Sequence, residues 1–119
     1  MTSHDLKLTE SPAELPITCD LTAITPEKRG HHQQLWQQLQ SSVQAIRELP
    51  DGYALHLPND SATILAAAEF ITLERLCCSF FNFKLEITPA SGPVWLHLTG
   101  SDGVKDFLST LPSELGISG

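Results

Sequence analysis

The residue pattern predicts an α+β protein, a two-layer sandwich in which helices cover a four-stranded sheet in the order β-α-β-α-β-β-α. Three observations carry this expectation. Four short stretches alternate apolar and polar residues, two longer stretches repeat apolar residues at intervals of three and four, and Gly/Pro-rich turns fall where one period gives way to the other. Residues 1–14 (MTSHDLKLTESPAE) hold two leucines among mostly polar residues and read as a flexible tail. Residues 15–119 read as the one α+β domain.

The first expected strand lies over Ile17, Cys19 and Leu21, which alternate with Thr18, Asp20 and Thr22 and would turn Cys19 inward. Thr25-Pro26-Glu27 is a helix start, with Thr25 as N-cap and Pro26 at the first helical position. The stripe Leu35, Leu39, Val43 and Ile46, flanked by Trp36, gives that helix an apolar face, and its glutamines fill the solvated surface. Pro50-Asp51-Gly52 turns the chain into a second strand, Tyr53 to Leu57, which Pro58 closes. Asn59, Asp60 or Ser61 caps a second helix whose inner face carries Ala66, Phe70, Leu73 and Cys77. After Asn82, a candidate helix C-cap, Phe83, Leu85 and Ile87 alternate with charged and polar residues; Ser91-Gly92-Pro93 joins this strand to Val94–Thr99 as a hairpin. A short helix follows Gly100-Ser101-Asp102-Gly103, whose glycines ease a capped turn; the loop lacks Walker spacing, and Asp102 opposes phosphate.

Fourteen Asp and Glu against seven Lys and Arg give a net charge of -7, which repels phosphate backbones and anionic lipid, so no nucleic-acid partner is expected. The pattern predicts neither a membrane span nor a signal peptide. A chain of 119 residues hides about 65% of its unfolded surface on folding, so a metal is not needed merely to hold the fold. Three cysteines, two of them adjacent, make poor material for an extracellular disulfide framework, and a reducing cytoplasm is the expected setting.

Chemistry concentrates in Glu74-Arg75-Leu76-Cys77-Cys78-Ser79-Phe80-Phe81, at the end of the second helix. Glu74 stands three residues before Cys77 and four before Cys78, one helical turn from either, so a carboxylate and a sulfur can face one point. The two cysteines are about 100° apart around a helix axis, which lets one metal ion reach both only at the helix end. Cys77 leans toward the core and Cys78 toward its edge. A vicinal disulfide would need a distorted peptide that helical geometry does not supply. Glu74 and the negative end of the helix oppose a free thiolate, although Arg75 pulls the other way, so a bound soft cation fits better than a nucleophilic cysteine. Cys19 would bring a third thiolate, and three suit zinc, mercuric, cuprous or arsenite ions. Packing is the competing role: Cys77 and Cys19 serve equally well as small core residues, whereas Cys78 fits a thiol site better. His56 and His97 lie on the strand faces opposite the leucines, and His31-His32 is a weaker ligand candidate. Glu69 and Glu74, about 140° apart on a helix, do not form a carboxylate pair, and no Ser-His-acid set points to a hydrolase.

The stretch Glu74 to Phe83, with Trp95-Leu96-His97-Leu98-Thr99-Gly100 and Gly103-Val104-Lys105, resembles a group of small bacterial proteins carrying an E-R-x-C-C-x-F-x-x-F segment. The likeness extends upstream to Cys19-Asp20-Leu21 and Leu49–Tyr53. Similar C-C-S-F-F segments occur near or fused to heavy-metal-responsive regulators of the mercury type, and the resemblance therefore implies a heavy-metal ligand. This chain shows no winged DNA-binding region of its own.

The expected function is thus a soft-metal-binding or metal-handling protein with Cys77, Cys78, Glu74 and Cys19 as ligands. Two alternatives stand beside it. One is a non-catalytic interaction module, binding a second copy or another protein through Phe80, Phe81, Trp95 and Trp36 with the cysteines as packing. The other is a thiol redox protein using Cys78.

Overall fold

The computed structural model describes residues 16–116, so the tail expected over residues 1–14 lies outside the described residues. Helix α1 spans Pro26–Ser42, and the hairpin β1 (Ala45–Leu49) and β2 (Gly52–Leu57) follows it. Helix α2 (Ser61–Cys77) leads into a second hairpin, β3 (Asn82–Ile87) and β4 (Val94–Thr99), and the single-turn helices α3 (Val104–Phe107) and α4 (Leu111–Glu114) end the described chain. The sheet is antiparallel throughout in the order β1-β2-β4-β3, so α2 carries the chain past the place that β4 later fills. This is the expected α+β class with four strands.

Two elements differ from expectation. Residues 16–20 form no strand: the segment is a strap that ends in a 3-10 turn over Leu21–Ala23, with the Asp20 carboxylate capping the Thr22 N–H at 3.0 Å. An alternating stretch makes a strand only where a neighbour pairs with its backbone. Here the Asp20 N–H instead donates to the Cys77 carbonyl at 2.7 Å, which straps the segment across the end of α2. The sheet's fourth strand comes from Ala45–Leu49. Helix α1 stops at Ser42, where the Ser41 and Ser42 hydroxyls both turn back to the Gln38 carbonyl, at 2.9 and 2.8 Å, and Val43 leaves helical geometry at ψ 125°. Ile46 consequently sits in a strand, opposite Leu55.

Asp60 is the cap that starts α2, its Oδ1 accepting from the Thr63 N–H at 2.8 Å. Ala66, Phe70, Leu73 and Cys77 are all buried along one face, as the spacing predicts, and meet Leu35 and Leu39 of α1 and Leu55, Leu57, Leu96 and Leu98 of the sheet in one core. At roughly 1.5–3 kcal/mol for each large apolar side chain taken from water, this shared cluster supplies the main drive for helices and sheet to stay together. Gly52 is demanded by the β4 backbone, since a Cβ there would run into the Leu98 carbonyl. Asn82, expected as a helix cap, is the first residue of β3; the cap position belongs to Cys78, whose N–H still donates to the Glu74 carbonyl at 2.8 Å. No helix among the described residues is long and apolar enough to cross a membrane.

Candidate thiol and metal site

Helix α2 ends at Cys77, and Cys78 adopts φ -115°, ψ 68°, outside the helical range. That departure answers the 100° problem posed by adjacent helical cysteines. With the second one off the helix, Cys77 Sγ and Cys78 Sγ lie 3.5 Å apart and both residues are buried. Cys78 therefore does not sit at the edge of the core. Cys19, on the strap, is exposed as a residue and is joined to Cys78 by a disulfide, leaving Cys77 as the free cysteine. The sequence reading had three free thiols; two of them are paired because the strap is pinned on the helix end by the Asp20–Cys77 backbone bond.

Glu74 reaches Cys77 from one turn earlier, as its spacing predicts, with the thiol donating to Oε1 at 3.7 Å. The same oxygen lies 2.7 Å from Nε2 of His32. His32, Glu74 and Cys77 each offer a ligand atom within 4.8 Å of the other two. His32 is held by stacking almost parallel on Phe70, their ring centroids 5.6 Å apart. Sequence reasoning undervalued this histidine, yet a signal was present: extending the α1 stripe Leu39, Trp36 and Leu35 back by one turn lands on position 32. What no local pattern carries is its partner 42 residues on.

Burial, reinforced by the negative charge and hydrogen bond of Glu74, pushes the Cys77 thiol up to about 11. At neutral pH Cys77 is a protonated donor. The constellation resembles a cysteine–histidine pair only superficially, because a carboxylate stands between imidazole and thiol and stabilises the wrong protonation state for a nucleophile.

The remaining candidates lie elsewhere. His56 and His97 face away from the helices, His56 stacked on Trp95 at 5.0 Å and His97 Nε2 lying 3.2 Å from Glu86 Oε1. Neither takes part in the thiol cluster. Trp95, beneath the Arg47 guanidinium at 4.1 Å, shares that outer face, whereas Phe80 is buried and Trp36 and Phe81 border a cleft on the helix side. The four aromatic residues expected to make one contact surface are thus split between opposite sides of the sheet. His31 pairs with Glu69 at 2.8 Å on the surface, and Lys105 with Glu48 at 2.6 Å.

Fold and site together define a small α+β protein with a sulfur cluster at a helix C-terminus. Compared with protein-family models, curated proteins and solved structures, the chain matches none.

Proposed function

We propose that this is a soft-metal-handling protein whose site is completed by reduction of the Cys19–Cys78 disulfide. The observation that carries the reading is the gathering of three sulfurs, one carboxylate and one imidazole at a single helix end. Reduction takes two electrons from a thiol or phosphine donor and leaves Cys19, Cys77 and Cys78 as three thiols. Three thiolates, with His32 or Glu74 available as a further ligand, suit zinc, cuprous, mercuric or arsenite species. In a reducing cytoplasm, the setting we assign, ambient thiols supply the electrons. The thiols lose their protons to solvent when metal arrives, so binding weakens as pH falls.

A thiol redox role is the second reading, favoured by the 3.5 Å approach of Cys77 to Cys78. It asks Cys77 to act as a thiolate, and burial beside Glu74 opposes that. Binding needs the thiolate only after a cation has offset the local negative charge, which makes metal handling the better account.

Native mass spectrometry of the reduced and oxidised protein, titrated anaerobically with zinc, cuprous, mercuric and arsenite salts, tests the reading. One ion per chain is expected on the reduced form, none on the oxidised form, and loss of the ion from Cys77→Ser and from Cys78→Ser. A reduced protein that takes up none of the four overturns it.

A further inference from the structure

A cleft of about 530 Å³ opens on the helix side of the sheet, with Trp36, Phe70, Phe81 and Phe107 among its walls and Glu74 and Glu114 among its polar groups. No cysteine lines it. Apolar walls with a few polar groups, around a space of about 300–1,000 Å³, are what small-molecule sites share.

The aromatic walls are organised. Phe70 is a buried floor on which Trp36 stacks at 5.5 Å and His32 at 5.6 Å. Phe107 meets Phe81 at 6.3 Å with the ring planes 68° apart, yet it remains 44% exposed, an apolar ring kept in water. A flat hydrocarbon ligand would remove these faces from solvent.

Charge selects the rest of the ligand. Besides His32, the charged or titratable side chains lining the cleft are Arg29, Glu74 and Glu114. Arg29 serves the strap: its Nε donates to the Leu21 and Ile24 carbonyls at 3.0 and 2.9 Å, and its charge joins the Thr22 hydrogen bonds, the larger cause, in lowering the Asp20 carboxyl. Glu74 is different. Its Oε1 meets both the His32 ring and the Cys77 thiol, while its Oε2 makes no hydrogen bond among the described residues, and the side chain is only 16% exposed. A sheltered carboxylate with spare acceptor capacity is best served by a positively charged N–H donor. Glu114, accepting from the Thr110 hydroxyl at 2.8 Å, adds a second negative charge, and aromatic faces attract cations too.

We infer that the cleft binds a small arylalkylammonium, its ring seated between Trp36, Phe81 and Phe107 and its ammonium donating to Glu74. The inference goes beyond the metal reading and does not depend on it, because the cleft is formed with the disulfide closed and no sulfur takes part.

The test is calorimetric titration of the oxidised full chain, with a chelator present, by three naphthyl probes. Naphthylethylammonium carries the proposed head group, naphthylethanol replaces it with a neutral hydroxyl, and naphthylacetate places a negative charge there. The ammonium should bind at least about tenfold more tightly than the alcohol, and the acetate more weakly than either. Glu74→Gln should bring the ammonium to within about threefold of the alcohol. Phe107→Ala, at an exposed position, should weaken both by about fivefold. In NMR spectra the Trp36 indole N–H should move on binding, while that of Trp95, on the opposite side of the sheet, stays; Trp95→Phe assigns the two signals. An ammonium that does not bind, an alcohol or acetate that binds as tightly, a preference that survives Glu74→Gln, indifference to Phe107→Ala, or a response at Trp95 instead of Trp36 overturns the inference. If Glu74→Gln does not fold, the ranking of the three probes and the Trp36 signal decide it. All of these outcomes leave the metal reading in place, since that is tested on reduced protein, and a reduced protein that takes up no metal leaves the ammonium site in place.

Discussion

Serine at position 19 removes the covalent tie between the strap and the end of α2. The bridged residues are 59 apart in sequence, and in the chain-entropy account a cross-link closing a loop of that length restricts the unfolded chain by about 4 kcal/mol. The folded strap keeps other anchors, because Ile24 is 1% exposed, the Asp20 N–H still meets the Cys77 carbonyl, and Arg29 holds two strap carbonyls. The cost of Cys19→Ser therefore falls mainly on the unfolded state and should approach the full ~4 kcal/mol. For a two-state domain of this size, about 4 °C of Tm accompanies each kcal/mol, so melting should drop by about 15 °C. Urea and thermal unfolding followed by far-ultraviolet circular dichroism provide the assay. Reduced wild type should coincide with the variant, a phosphine reductant should leave the variant unmoved, and the urea m-value should rise as the unfolded chain opens. A loss below about 1 kcal/mol, or a variant still sensitive to the reductant, would refute the assignment of this disulfide as the main tether.

Four further outcomes are expected. Iodoacetamide should modify Cys77 slowly at neutral pH and faster toward pH about 11; Glu74→Gln should move that dependence to lower pH but not back to the ordinary thiol value of 9.0, since burial is the larger cause. Because the folded-state value is raised, the same thiol contributes its full share of stability below pH 9 and loses it as pH rises through about 11, a decline that Cys77→Ala should flatten in denaturant titrations. Asp60→Ala removes the α2 cap and should cost about 1 kcal/mol in urea unfolding. Ala90 and Ser91 both hold positive φ, 59° and 58°, in the β3–β4 turn; replacing them by Asn-Gly should raise stability by about 1 kcal/mol, visible as a Tm gain.

The fold was legible where local chemistry and tertiary packing agree. Asp60 before a strongly apolar helical stripe, and the alternating runs on either side of Ser91-Gly92-Pro93, announce α2 and the second hairpin, and the structure has both. The end of α1 was not legible, because Val43 and Ile46 continue the helical spacing beyond a boundary set by two serine hydroxyls and no glycine or proline marks it. The strap misled in the opposite sense: an alternating stretch looked like a strand, and its backbone partner is a helix end. At the site, Glu74 and the two adjacent cysteines follow from spacing along one helix. His32 and the pairing of Cys19 with Cys78 depend on contacts across 42 and 59 residues, which periodicity does not encode.

The disulfide and the proposed metal site are compatible because they use one arrangement of elements. Two thiolates bound tetrahedrally at about 2.3 Å from one zinc ion lie roughly 3.8 Å apart. Cys77 and Cys78 are separated by 3.5 Å, so that pair needs little movement to become ligands. Their common position depends on Cys78 leaving the helix while its N–H still bonds to Glu74, a restraint that does not involve the disulfide. Glu74 and His32 belong to two packed helices anchored by Phe70, Leu35 and Leu39, and they stay in place whichever oxidation state the sulfurs adopt. The two bridged cysteines are the exception, since opening the bridge frees both sulfurs, while the Cys78 N–H bond to the Glu74 carbonyl and the anchoring of Asp20 and Ile24 keep their backbones near Cys77. Oxidation in the proposed mechanism therefore withdraws two ligands without dismantling the fold that presents them. It follows that reduced protein should have the oxidised protein's circular dichroism in native buffer, with the lost tether appearing only on unfolding and the regained ligands only when metal is added.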